Sequence, residues 1–499
     1  MTGTRGTPNE GGQAAGGPAP GDRLDPALIR LALVLMLGAF ASMLDTTIVA
    51  VAINTLQTSF DTTVATVQWV STAYLLAMSM IIPVTSWTVD RFGAKKMWLV
   101  SIVVFMIGSV LCGFAWSIGS LIAFRVVQGV GGGMLLPLVR TILAPAAGQA
   151  RMGRAMIFVA VPGSLAPVLG AVLGGLVIGS LSWRWAFYIN IPVCLLALVL
   201  SWVLMPNDRK RGAARLDVLG LALLSVGFAA IVFALSEVGR TGDFGSGLVL
   251  TTLILGLVLV TAYVFHALFT KQTPIIDVRL FRIRSFAAST LVLFLFGASL
   301  FGTALLLPLY YQQVHGASVF TAGVLLIPQG VGIGVASLFA GKLIDRIGAE
   351  RAIAIAGMAL AAGGAVPYAL GGPDADLVVL AVAQFVGALG LGAAPLAATT
   401  ATYAELRKSE MGPATSASRI LQLVGGALGA AVLTVILQRE FSANPGHDLA
   451  AKAAAFGGTF WWAIGLTGAA LIPALLLPHK RNSGPPAEES VEPAQSEAR

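Results

Sequence analysis

Two charged residues, Asp45 and Arg125, sit deep inside long apolar runs. A charge at mid-membrane costs about 2.5–3.5 kcal/mol on insertion scales, so it is retained for ion or substrate chemistry. Burial disfavours a carboxylate, so Asp45 could exchange a proton near neutral pH. Arginine stays protonated and cannot carry the proton itself. Arg125 could tune a nearby acid or organise water and carbonyls. Bland roles remain open: a carboxyl bonded to Thr46, Thr47 or a neighbouring helix, and a guanidinium held by carbonyls near Gly129 and Gly131. Tyr74, Gln128, Tyr310, Tyr311, Gln312, Gln329 and Gln384 fall at similar depth. With Met43 and Met78 they would suit a bulky, amphipathic ligand.

A second pattern is a duplication. Ser86-Trp87-Thr88-Val89-Asp90-Arg91-Phe92-Gly93-Ala94-Lys95-Lys96 recurs as Gly341-Lys342-Leu343-Ile344-Asp345-Arg346-Ile347-Gly348-Ala349-Glu350-Arg351. Both copies lie in short polar gaps between apolar segments. Asp90, Arg91, Gly93, Asp345, Arg346 and Gly348 are therefore candidate gating residues, whose ion pairs hold one conformational state and break in another. The repeat implies two homologous helical bundles rocking about a central site.

The elements that must position these residues follow from composition. Of 499 residues, 57% are hydrophobic and 11% charged, more apolar surface than a soluble chain can hide. A membrane-crossing helix needs about 20 apolar residues. Fourteen spans are predicted: 29–53, 67–89, 97–116, 119–142, 154–180, 185–205, 217–238, 247–269, 286–313, 320–344, 351–370, 375–402, 412–438 and 458–478. The net charge of +8 lies in the loops rather than in a nucleic-acid-binding stripe. With a cytoplasmic N-terminus, only Arg184, Arg240, Arg439 and Lys452 fall outside, and Arg125 is mid-helix. That bias supports an even helix count with both termini cytoplasmic. The chain then divides into a tail (1–28), an N-terminal six-helix bundle (29–205), linkers with two inserted helices (206–284), a C-terminal six-helix bundle (285–478) and a second tail (479–499). Both tails are rich in small and polar residues and are expected to be disordered. The first span is too long for a signal peptide and lacks its cleavage site.

Several chemistries find no support. Cys112 and Cys194 lie in apolar segments, where packing is their expected role. His266, His315, His447 and His479 have no metal-ligand spacing. There is no Gly-x-x-x-x-Gly-Lys-Ser/Thr loop and no nucleophile–base set, so neither ATP-driven transport nor an enzyme is expected, and no cofactor is implied.

Further stretches carry a family resemblance. They are Leu44-Asp45-Thr46-Thr47-Ile48-Val49, Arg125-Val126-Val127-Gln128-Gly129, Ser182 to Pro192 with Trp183-Arg184-Trp185, and Arg419-Ile420-Leu421-Gln422 with Gly425, Gly426 and Gly429. With the duplicated loop and fourteen spans, the chain resembles the major facilitator superfamily, in its 14-helix drug:proton antiporter branch of the EmrB/QacA type. Ala50, Asn54, Ser86 and Ala171 depart from that branch's pattern. The resemblance implies a proton-coupled exporter of drugs, antibiotics or related amphiphiles in the cell inner membrane, working as a monomer, with Arg125 in proton coupling. It also implies that the fifth span controls the bundle interface. There Pro167, Gly170, Gly174 and Gly175 belong to stripes of small residues that let another helix approach closely. A facilitator of a metabolite, amino acid or siderophore, or a sensor that kept the fold, are the competing readings. Aligning Gly38-Ala39 with Gly297-Ala298 sets Asp45 opposite Ala304 and Arg125 opposite Gln384. Proton chemistry is thus expected in the N-terminal half alone.

Overall fold

The computed structural model describes residues 25–205, 216–241, 243, 245–270, 274–347, 349–403, 405, 406, 410–443 and 448–478. The expected tails at 1–24 and 479–499, the linker 206–215 and Gly348 lie outside the described residues.

Polar caps start the helices where the apolar runs begin. Asp25 accepts from the Ala27 amide (3.0 Å) and opens α1 (Pro26–Ser59), with proline in its first turn. Thr63 caps α2 (Val64–Phe92). Gly93 separates it from α3 (Ala94–Gly113) with φ at 93°, a left-handed conformation that a side chain would strain. A Ser117–Ser120 capping box opens α4 (Ile118–Ser180). Then come α5 (Trp185–Tyr188), α6 (Asn190–Leu204), α7 (Val218–Thr241) and α8 (Gly247–Phe269). The second half comprises α9 (Arg284–Gln313), α10 (Val319–Leu325), α11 (Ile327–Ile347), α12 (Glu350–Leu370), α13 (Leu377–Thr402), α14 (Met411–Ala443), α15 (Leu449–Ala469) and α16 (Leu471–Ala474). Among the described residues there is no strand, so the fold is all-α.

Thirteen stretches among the described residues are helical, long and apolar enough to cross a membrane. The fourteenth expected span, 154–180, is joined to 119–142 within α4, where Leu169–Ser180 forms a shorter apolar stretch. Those two legs run back along each other. Ser42 Oγ donates to the Gly132 carbonyl (3.4 Å), and a Cβ on Gly174 would lie 3.2 Å from Ile48 Cα. A straight helix would hold Gly132 and Gly174 about 63 Å apart, whereas Ser42 and Ile48 are about 9 Å apart along α1. The chain therefore reverses within α4. Some boundaries shift: α15 begins at Leu449 rather than 458, and the 320–344 span is broken at Leu326 into α10 and α11.

The molecule is inside-out by the standard of a soluble protein. Phe269 is 80% exposed and Trp202 70%, while Arg125 is 1% exposed and Asp45 0%. That distribution fits lipid as the solvent.

Helix α4 packs on α1, α2 and α3, and α6 packs on α1 and α3. In the second half α9 packs on α13, α14 and α15, α12 on α13 and α15, and α11 on α13. The two sets meet through α2 with α14, α4 with α10 and α11, and α1 with α9. The inserted α7 and α8 pair with each other, and α7 lies across both α2 and α14. Asp217 locks their ends. Its Oδ1 accepts from the Gly220 amide and lies 2.8 Å from His266 Nε2 on α8. Sequence alone identified no such contact in the insert.

Candidate functional site: a sealed ion pair inside the N-terminal helices

Asp45 and Arg125 meet. Arg125 Nη1 donates to Asp45 Oδ2 at 2.5 Å, and both side chains are sealed from solvent. Five helices build the cluster. On α4, Gln128 lies three residues after Arg125 and so shares its face. Its Oε1 accepts from Arg125 Nη1 (2.6 Å), while its Nε2 donates to Asp45 Oδ1 (2.8 Å) and to Ser109 Oγ on α3 (2.7 Å). From α2, the Val70 carbonyl accepts from Arg125 Nε (2.8 Å), and one turn on the Tyr74 ring lies under the guanidinium, 4.0 Å from Cζ. The Tyr74 hydroxyl pairs with Ser42 Oγ on α1 (2.9 Å). From α6, Asn190 Nδ2 donates to Asp45 Oδ1 (2.8 Å) and Ser109 Oγ (3.3 Å).

The cluster satisfies a carboxylate and a guanidinium together in a low-dielectric interior. Removing one charge from such a pair costs about 3–5 kcal/mol, because the other is left uncompensated. Asp45 and Arg125 therefore form one electrostatic unit.

The expected ligand contacts divide into separate groups. Gln128 and Tyr74 are fully buried members of the ion-pair cluster. Tyr311 and Gln384 come together in the second half with Tyr368. The Tyr311 and Tyr368 hydroxyls lie 2.7 Å apart, Tyr311 donates to Gln384 Oε1 (3.3 Å), and Tyr368 donates to the Leu380 carbonyl (2.9 Å). The buried Tyr310 ring packs edge-on against Tyr368, His315, Phe456 and Phe460. The place opposite Arg125 is thus occupied by a neutral phenol–amide group. Gln312 Nε2 donates to the Val51 carbonyl on α1 (3.5 Å), and Gln329 is half-buried at the start of α11. A groove of about 490 Å³ beside α13, lined by residues such as Leu325, Pro328, Val382 and Phe385, is apolar and contains none of these candidates.

The small residues of α4 lie at helix crossings. A Cβ on Gly170 would overlap Thr47 Oγ1, and one on Gly175 would come within 2.7 Å of the Val319 carbonyl. Pro167 is on the helical backbone just before them. In the first loop Asp90 is half-buried and Arg91 exposed. Neither forms an ion pair among the described residues, and Lys95 instead ties the start of α3 to the Met205 carbonyl (2.6 Å). Asp345 and Arg346 lie on the last turn of α11, and their side chains are outside the described residues. Sequence reasoning missed Asn190 and Ser109. The available signal for Asn190 was an amide in the stretch Ile189-Asn190-Ile191-Pro192, next to an apolar run.

Thirteen long apolar helical stretches among the described residues, with a sealed ion pair among the N-terminal ones, define a multi-pass membrane protein. The chain belongs to the major facilitator superfamily, whose family model matches residues 35–430 and 289–497. It is 39% identical over 423 residues to a multidrug resistance protein B homolog of Mycobacterium tuberculosis, covering 84% of this chain and 78% of the relative. It is 30% identical over 418 residues to the multidrug export protein EmrB of Haemophilus influenzae, covering 82% and 80%. Among solved structures, the POT family transporter PepTSo superposes with a TM-score of 0.67 over 92% of this chain and 100% of that one, at 14% identity. That likeness concerns the fold alone.

Proposed function

We propose that this protein is a proton-coupled exporter of drugs, antibiotics or related amphiphilic small molecules, working by alternating access. The observation that carries the reading is the sealed Asp45–Arg125 pair, an acid whose protonation changes the charge balance of the interior. The relatives named for multidrug resistance and export support the substrate class.

The coupling follows from electrostatics. With Asp45 ionised the cluster is neutral overall, and Arg125, Gln128 and Asn190 are all engaged by it. A proton on Asp45 cancels the carboxylate and leaves Arg125 uncompensated in a low-dielectric site. The protonated cluster is therefore relieved by hydration, that is, by opening to one side of the membrane. Ion-pair formation after proton release favours the sealed arrangement described here. Where the membrane potential drives the proton, it supplies about 2.3 kcal/mol per charge per 100 mV.

In this reading residues 29–205 and 285–478 form the two rocking bundles, with 206–284 inserted between them. The helix packing supports that division, since contacts within each set exceed those across it. The basic-residue bias supports an orientation in the cell inner membrane with both termini cytoplasmic. The sealed end, where α1 and α9 finish, then faces outward, closed by Gln312 on Val51 and by Gln313 Nε2 on Asn54 Oδ1 (3.2 Å). Tyr310, Tyr311, Gln329 and Gln384 are the proposed substrate-side residues, and Asp90, Arg91, Gly93, Asp345, Arg346 and Gly348 the proposed gating residues. The chain acts as a monomer and requires no cofactor.

The test is drug susceptibility of a pump-deficient bacterium expressing wild type or Asp45→Asn, across a chemically varied panel. Resistance lost in the variant at equal expression supports the reading. No resistance to any compound, with the wild type well expressed, favours a facilitator of a specific metabolite.

A further inference from the structure

Asn190 is the member of the Asp45 cluster with unbalanced hydrogen bonding. Its Nδ2 donates to Asp45 Oδ1 and to Ser109 Oγ, whereas its Oδ1 is buried and meets no donor. An orphaned buried acceptor is costly, and every other polar atom named in the cluster is paired. The orientation suits only one protonation state. An ionised Asp45 accepts and cannot donate. A protonated Asp45 carries an O–H that needs an acceptor, and the Nδ2 facing it cannot serve.

We infer that Asn190 is a positioning residue that reverses its role from donor to acceptor when Asp45 takes up a proton. The inference rests on the reading of Asp45 as the proton carrier. A proton forms an O–H bond at Asp45 Oδ1, the oxygen remote from Arg125. The Asn190 amide then turns by half a rotation about Cβ–Cγ, and its Oδ1 accepts from the new O–H. Ser109 follows. Its hydroxyl turns from accepting Asn190 Nδ2 to donating to Asn190 Oδ1, while Ser109 Oγ still accepts from Gln128 Nε2. The two contacts that Asn190 makes both invert, Nδ2 takes the place that Oδ1 holds in the ionised state, and the orphaned oxygen is accounted for as the acceptor held in reserve. Proton release reverses each step.

The other ionisable groups facing the pair are Arg125 from α4, Tyr74 from α2, Cys112 from α3 and Cys194 from α6. Arginine keeps its charge, and phenols and thiols ordinarily titrate above neutrality. Asp45 is thus the group whose protonation the amide follows. Asn190 also begins α6, and Tyr188 just before it packs on Gly113 of α3. The amide is therefore held by a fixed backbone while its side chain turns.

The experiment is pH-difference infrared spectroscopy on the full chain in liposomes, comparing wild type, Asp45→Asn, Asn190→Leu and Asn190→Ala. Lowering the pH should produce a carboxylic acid carbonyl band that is lost in Asp45→Asn. It should also shift a side-chain amide carbonyl band to lower wavenumber, as expected when the amide begins to accept a strong hydrogen bond. That amide shift should be lost in Asp45→Asn and in whichever Asn190 variants fold. An acid band without the amide shift, or an amide shift surviving in Asp45→Asn, overturns the role of Asn190 and leaves Asp45 as proton carrier. Absence of the acid band overturns both.

Discussion

Gly323 on α10 lies directly against the carbonyl oxygen of Ala171 on α4, so closely that a Cβ on the glycine would overlap it. This is a contact between the two halves of the molecule, and Gly175 with Val319 repeats it one turn away. Backbone-to-backbone approach of this kind is available only to the smallest residues. The seam closes the end where α1 and α9 finish.

Gly323→Val should therefore weaken the closed arrangement without touching the ion pair. A cysteine placed at Asn54, which bonds to Gln313 across the same end, should label severalfold faster with a membrane-impermeant maleimide when Gly323→Val is added. The native Cys112 and Cys194 are buried and should contribute little background. Equal labelling rates would show that the seam does not hold this end shut.

Removing one member of the central pair should be worse than removing both. Arg125→Leu leaves an uncompensated buried carboxylate and should lose about 3–5 kcal/mol. Adding Asp45→Asn should recover most of that stability, because no unpaired charge remains. Thermal unfolding in detergent measures both. Transport should be abolished in the double variant even where folding recovers.

That pair was legible in the sequence because charges inside apolar runs stand out, and the spans themselves were legible from composition. Asn190 and Ser109 were not, since neutral polar residues next to an apolar stretch carry no comparable signal and their partners are remote in the chain. Gln128 is read from the sequence as a candidate substrate contact, and its place three residues after Arg125 also puts it on the same helical face. The reversal inside α4 is legible as the break between the spans 119–142 and 154–180; that backbone helicity continues through it is not. The Asp217–His266 contact joins residues on different helices and depends on how α7 and α8 pack, which local patterns do not report.

In the second half, Tyr368→Phe should remove the hydroxyl that pairs with Tyr311 and the Leu380 carbonyl. Tyr311 keeps its bond to Gln384, so the cost should be about 0.5–1.5 kcal/mol for each hydrogen bond removed. The melting temperature should fall while the number of protons moved per substrate stays unchanged. A change in that ratio would place proton chemistry in both halves.

His315 lies in the turn between α9 and α10, and burial lowers its pKa below the usual 6.5. Above the unfolded pKa the imidazole is neutral in both states and costs nothing. As pH falls from that value toward the lower folded pKa, the unfolded chain binds the proton first and stability declines. His315→Phe should flatten this loss as pH falls below about 6.5. Melting curves across that range check it, and an unchanged slope would contradict it.

The most direct measurement is proton release from everted vesicles when an exported compound is added. Wild type should release protons in proportion to substrate uptake. Asp45→Asn, at equal expression and with its fold verified by melting, should release none. Substrate-driven proton release that persists in Asp45→Asn would contradict Asp45 as the site where transport and the proton gradient meet.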